Sequence, residues 1–126
     1  MDMNTRNAVN WFEIPVRDMD RAQRFYETVF GITMPRTEMD GHLMAMFPAH
    51  EDGVNGCLSM GEGCEPGSQG ATVYLNAEPG VQEVLSRVER AGGRVVIGRT
   101  EISGGHGYFA QILDPEGNRV GLHAMH

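Results

Sequence analysis

The sequence has no surplus of positive charge. Ten Lys and Arg stand against 17 Asp and Glu, a formal net charge of −7. A phosphate backbone needs a basic surface, so the balance argues against nucleic acid as a partner. It argues equally against an anionic membrane surface. No apolar run approaches the roughly 20 residues that cross a bilayer. The opening MDMNTRNAVN has no apolar signal core, which points to a cytoplasmic protein. Cysteine is scarce. Cys57 and Cys64 are too few for a disulfide framework, and their spacing matches no zinc motif. The stretch GEGCEPGSQG is rich in glycine but lacks the lysine and the strand-to-helix setting of a phosphate loop.

What is present suits one folded domain. Hydrophobic residues make up 40% of the 126 and charged residues 21%, the balance of an ordinary globular chain. Nine methionines are many for this length, and Met34, Met39, Met44, Met46 and Met60 fall close together. Such a group either fills gaps in a core or lines an adaptable apolar pocket.

The chain reads as two halves. Residues 9–16 alternate as a strand does. From Asp18 the period changes, and Met19, Ala22, Tyr26, Val29 and Phe30 share one helical face, with Asp18 as N-cap and Gly31 as stop. The event recurs in residues 71–76, a strand, followed by Val81, Val84, Leu85, Val88 and Ala91 on a helical face ended by Gly92-Gly93. RTEMDGH at Arg36 is echoed by RTEISGGH at Arg99, and GVNGCL at Gly53 by GNRVGL at Gly117. Further strands are expected at 32–37, 42–47 and 56–60, and again at 94–98, 107–113 and 119–124. The expected fold is therefore α+β: two tandem βαβββ modules forming a curved mixed sheet around a cleft. The first repeat covers about residues 8–61, a linker 62–69, and the second repeat 70–125. A cleft between such halves is the natural place for a small ligand.

Two stretches carry a family likeness. IPVRDMDRAQRFYETVFG and the later ILDPEGNRVGLH resemble the vicinal oxygen chelate superfamily of glyoxalase I, bleomycin-resistance proteins and extradiol dioxygenases. The resemblance extends over essentially the whole chain. It implies a divalent metal held by His or Glu from the first and last strands of each module. That metal would chelate adjacent substrate oxygens and stabilise a developing oxyanion. The matching positions here are Trp11, Cys57, Ala71 and Gly121. Three of these cannot ligate through their side chains, and the fourth is a single thiol. No cofactor is expected, and a divalent metal only through a non-standard set such as Glu13, His106 and His123. The resemblance also implies a homodimer.

Strand alternation nominates the cleft residues. Phe12, Ile14 and Val16 belong against the helix, leaving Trp11, Glu13 and Pro15 for the cleft. Cys57 and Ser59 face it likewise, as do Arg119, Gly121 and His123. The family register adds Ala71, Val73 and Leu75, with Thr72 and Tyr74 outside. His106 lies in ISGGHGYF, whose glycines suggest a mobile loop over the cleft. His42 holds the equivalent turn in the first repeat. The candidate ligand contacts are Trp11, Glu13, Cys57, Ser59, Ala71, Val73, His106, Gly121 and His123. Glu13 and His123 are the candidates for proton transfer, since a carboxylate beside an imidazole makes a general base. The plainer alternatives are a Glu13 that is solvated or paired with Arg17 or Arg119, a His123 exposed near the C-terminus, and a packed Cys57. Two functions follow: metal-independent binding of a small molecule, or a lyase, isomerase or dioxygenase that uses a relocated metal or the Glu13/His123 pair.

Overall fold

A computed structural model describes residues 7–126. The first module runs β1 (Trp11–Pro15), α1 (Met19–Phe30), β2 (Arg36–Met39), β3 (His42–Met46) and β4 (Asn55–Met60). The second runs β5 (Tyr74–Asn76), α2 (Val81–Val88), β6 (Arg94–Glu101), β7 (Tyr108–Leu113) and β8 (Arg119–Ala124). Each module holds one four-stranded mixed sheet, in the order β1-β4-β3-β2 and β5-β8-β7-β6. The two βαβββ modules of the α+β fold are thus present. In each, the first strand pairs parallel with the last, which the crossover helix requires.

Helix α1 begins and ends where its residues dictate. The Asp18 carboxylate accepts the Arg21 N–H at 3.1 Å. Gly31 takes the left-handed stop at φ 65° and returns its N–H to the Glu27 carbonyl. The buried stripe is Met19, Ala22, Phe25, Tyr26 and Val29. Phe25 replaces the expected Phe30 because the second module packs on it. A Cβ at Gly93 would lie 2.7 Å from its ring. The stripe of α2 is Val81, Val84, Leu85 and Val88, and the two helices contact each other.

Several boundaries move for physical reasons. β2 starts at Arg36 and not at residue 32, because Met34 is drawn into the core and its N–H is taken by the Glu27 carboxylate at 2.9 Å. Pro35 has no N–H to give a ladder. Strand β5 keeps only three of the six residues expected, and β6 runs on to Glu101 through two register shifts.

The DPEGN turn is more than a turn. Asp114, Glu116 and Asn118 are each less than 10% exposed, and Tyr26 is fully buried. The Tyr26 hydroxyl donates to Asp114 Oδ2 at 2.7 Å, while the N–H groups of Glu116 and Asn118 donate to Asp114 Oδ1 at 2.9 Å. Asn118 Nδ2 reaches the Pro15 carbonyl at the end of β1, 2.7 Å away. Glu116 accepts from the Arg17 and Asp18 N–H groups and forms an ion pair with Arg21. One turn of the second module thereby fixes the β1-to-α1 corner of the first. A buried polar atom left unmatched costs about 1–3 kcal/mol, so complete pairing here specifies how the modules dock.

Candidate functional site

Each sheet has one face against its helix and one turned away. In the first sheet Ile14, Val16, Ala45 and Leu58 are core, with Phe12 packed against them. The away face therefore carries Trp11, Glu13 and Pro15 on β1, Cys57 and Ser59 on β4, and His42, Met44 and Met46 on β3. The register sets Glu13 beside Cys57, Cys57 beside Met46, and Ser59 beside Met44.

Trp11 is 43% exposed, and its indole N–H donates to Glu13 Oε2 at 3.2 Å. Glu13 has no ion pair among the described residues; the Arg17 guanidinium goes to Glu65 at 3.1 Å. An aromatic ring and a carboxylate are thus held side by side on an accessible face. Next to them, Cys57 and Ser59 have almost no exposed surface. The turn after β4 folds over Ser59, with Cys64 Sγ 3.4 Å from its hydroxyl. Burial, with the Glu13 charge adding to it, pushes the Cys57 thiol up to about 11, so it is protonated at neutral pH. His42 bridges the Asp40 and Glu62 carbonyls at 3.2 and 2.9 Å. These acceptors, the Glu62 carbonyl first, raise its pKa above the ordinary 6.5.

In the second sheet Leu75, Ala110, Ile112, Val120, Leu122 and Ala124 are core. The away face carries Tyr74 and Asn76 on β5, Arg119, Gly121 and His123 on β8, and Phe109 and Gln111 on β7. The register expected for β5 is corrected here. Tyr74 pairs with Gly121 and stands 47% exposed, whereas Leu75 pairs with Leu122 and is buried. The apolar pull of Leu75 toward the core sets the alternation, and a one-residue slip reverses both faces. Ala71 and Val73 consequently leave the face. They line a cavity of about 720 Å³ bounded also by Phe12, Phe30, Ile32 and Phe47. Among the described residues, no His, Cys, Asp or Glu lines that cavity. Thr72, not Ala71, is the counterpart of Trp11, since each lies two residues before the partner of the matching β4 or β8 position.

His123 donates from Nε2 to the His106 carbonyl at 2.8 Å. The fold brings these two together through backbone, and it leaves Glu13 on the other sheet with Trp11. No hydrogen bond or ion pair joins Glu13 to His123 among the described residues. No three His, Cys, Asp or Glu side chains among those residues are grouped to hold a metal ion.

The sequence pattern of the Glyoxalase/Bleomycin resistance protein/Dioxygenase superfamily matches residues 8–122. The chain belongs to that superfamily. Solved structures share the fold. A glyoxalase I mutant (V278E) from Zea mays superposes with TM-score 0.70 at 24% identity, covering 91% of this chain and 45% of the maize one. This chain therefore spans about half the length of the maize enzyme. A hypothetical protein from S. aureus gives TM-score 0.66 at 21% identity, covering 90% and 94% of the two chains. A glyoxalase/bleomycin resistance protein/dioxygenase family enzyme from Burkholderia phytofirmans gives TM-score 0.66 at 17% identity, covering 93% and 98%. No curated protein matches the sequence.

Within the superfamily frame, a divalent metal does not fit what stands at Trp11, Cys57, Thr72 and Gly121. An indole, a single buried thiol, a hydroxyl and a hydrogen atom offer no set of hard oxygen or imidazole donors. Two groups escaped the reading from sequence. Tyr74 and Gln111 are hydrogen-bonded on the second sheet, Gln111 Nε2 to the phenol oxygen at 2.7 Å. The second is the Asp114 hub. Its signal was the density of carboxylates and amide in DPEGN, more than a solvent-facing turn requires.

Proposed function

We propose that the protein binds a small organic molecule on the open faces of its sheets, without a divalent metal at the superfamily's usual positions. The observation that carries this is the Trp11–Glu13 pair, an exposed ring and a carboxylate with no ion pair among the described residues, fixed together at 3.2 Å. Beside it lie the thioethers of Met44 and Met46, which adapt to irregular apolar shapes. A flat apolar body with a positive end matches this surface, through stacking on the indole and attraction to the carboxylate. The net charge of −7 favours the approach of a cation. A homodimer in which a second copy covers part of these faces belongs to the same reading, as does a cytoplasmic setting.

Trp11 is the chain's one tryptophan, so its fluorescence reports on the site directly. The test is titration with N-methylquinolinium, on protein purified without a metal-binding tag and assayed for metal content. The expected result is saturable quenching that weakens a few-fold in Glu13→Gln, the size of one exposed ion pair. Linear, unsaturable quenching, or a stoichiometric tightly held divalent ion, would sink the proposal.

A further inference from the structure

Tyr74, Gly121 and Gln111 form one register row across β5, β8 and β7. The Tyr74 ring lies down over Gly121, so that a Cβ there would fall 2.2 Å from its Cδ1. Only glycine leaves room for the ring. Laid flat, the ring presents its face outward, and its hydroxyl spans the strand to Gln111 Nε2. Phe109, in the next row of the same face, meets the ring edge-on with centroids 6.3 Å apart and makes a wall. On the far side Ile97 pairs with Gln111 and is 38% exposed.

The row has one unmet demand. Gln111 Oε1 is buried and has no hydrogen-bond partner among the described residues. A buried acceptor without a donor costs about 1–3 kcal/mol, a cost that is recovered when a donor is brought to it. His123 stands beside Phe109 in the register, but its Nε2 proton is already given to the His106 carbonyl. No neighbouring side chain therefore meets the demand.

We infer that this row is a specificity site for a planar ring bearing an N–H donor. The ring of the ligand stacks on Tyr74 against the Phe109 wall. Its N–H reaches Gln111 Oε1 by displacing the packing that now covers that atom. The inference rests on the reading of the open faces as a binding surface and adds the class of molecule that the second sheet selects. Gln111 sets the choice between donor and acceptor, while Tyr74 fixes the amide through its other edge. Gly121 is a positioning residue that lets the platform lie flat.

The test uses three probes of similar size: indole, which has only the N–H donor, N-methylindole, which has lost it, and quinoline, which has only an acceptor. Binding is followed by ligand-observed NMR and by the Gln111 side-chain amide and Tyr74 ring resonances. Indole is expected to bind about fivefold more tightly than N-methylindole, the value of one recovered hydrogen bond. Gln111→Met should abolish that difference. Tyr74→Phe keeps the ring, frees the amide to turn, and should narrow the gap between indole and quinoline. Heat denaturation of each variant establishes that it is folded. Equal binding of indole and N-methylindole by the native chain, or tighter binding of quinoline, would overturn the inference. Failure of N-methylquinolinium to quench Trp11 saturably is a separate outcome. It removes the first-sheet reading while these probes still report on the second sheet.

Discussion

Removal of one oxygen atom tests whether the buried turn holds the modules together. In Tyr26→Phe the ring stays, and its packing on Phe25 and Phe47 is kept. What is lost is the hydroxyl donated to Asp114 Oδ2 at 2.7 Å. That oxygen is left with the Asn118 amide at 3.1 Å alone. A hydrogen bond to a charged group contributes about 1.5–3 kcal/mol, so the variant should be about 2 kcal/mol less stable at pH 7. A pH signature separates this from simple loss of packing. Burial raises the Asp114 pKa above its ordinary 3.8, against the pull of the hydrogen bonds from Tyr26 and Asn118. A carboxyl raised on folding favours the folded state while protonated, and that contribution is lost as pH rises through its raised pKa. Without the Tyr26 hydroxyl the pKa rises further and the loss deepens. The cost of the variant should therefore be greater at pH 7 than at pH 4, where more of the acid is protonated. Urea denaturation of both proteins at the two pH values measures it. An equal cost at both, or less than about 0.5 kcal/mol at pH 7, would refute the account of a charged, satisfied hub.

Two further outcomes follow from burial and close approach. With its pKa at about 11, Cys57 exposes on the order of one thiolate in a thousand at pH 8, so an aromatic disulfide reagent should titrate a single fast thiol in the native protein. Cys64→Ser should abolish that fast phase, and two fast thiols in the native chain would contradict the burial of Cys57. Gly93→Ala places a Cβ 2.7 Å from the Leu113 carbonyl, a backbone atom that cannot step aside, and should cost about 1–3 kcal/mol in urea denaturation. Gly98→Ala meets nothing within 4 Å and should be neutral or stabilising by about 0.4–1 kcal/mol, so equal effects at the two glycines would count against the packing.

The legibility of the sequence differed between its elements for reasons that can be named. Helix α1 was plain because its signals are local: Asp18 caps, Gly31 stops, and the apolar stripe has the helical period between them. β1 was equally plain, since Phe12, Ile14 and Val16 alternate with residues that do not belong in a core. β5 was not. In ATVYLN both faces carry apolar groups, so alternation alone gives no side. The choice is made by the parallel partner, where Leu122 accepts Leu75 against the helix and Gly121 accepts the flat Tyr74 ring. That information sits nearly fifty residues downstream, in a strand whose glycine looked like a missing ligand. The same glycine is the complement of an aromatic ring, a role visible only once the strands are paired. Glu13 shows the opposite case. Its direction was legible from alternation, but its partner was not, because a cross-sheet pairing with His123 depends on how the two modules dock. Docking is set by Asp114, Glu116 and Asn118, which reach back about a hundred residues to the β1-to-α1 corner. Local period thus fixes which face a residue takes, and the long-range hub decides which faces can meet. The Trp11–Glu13 pair and the Tyr74–Gln111 pair therefore form separately, each within its own sheet.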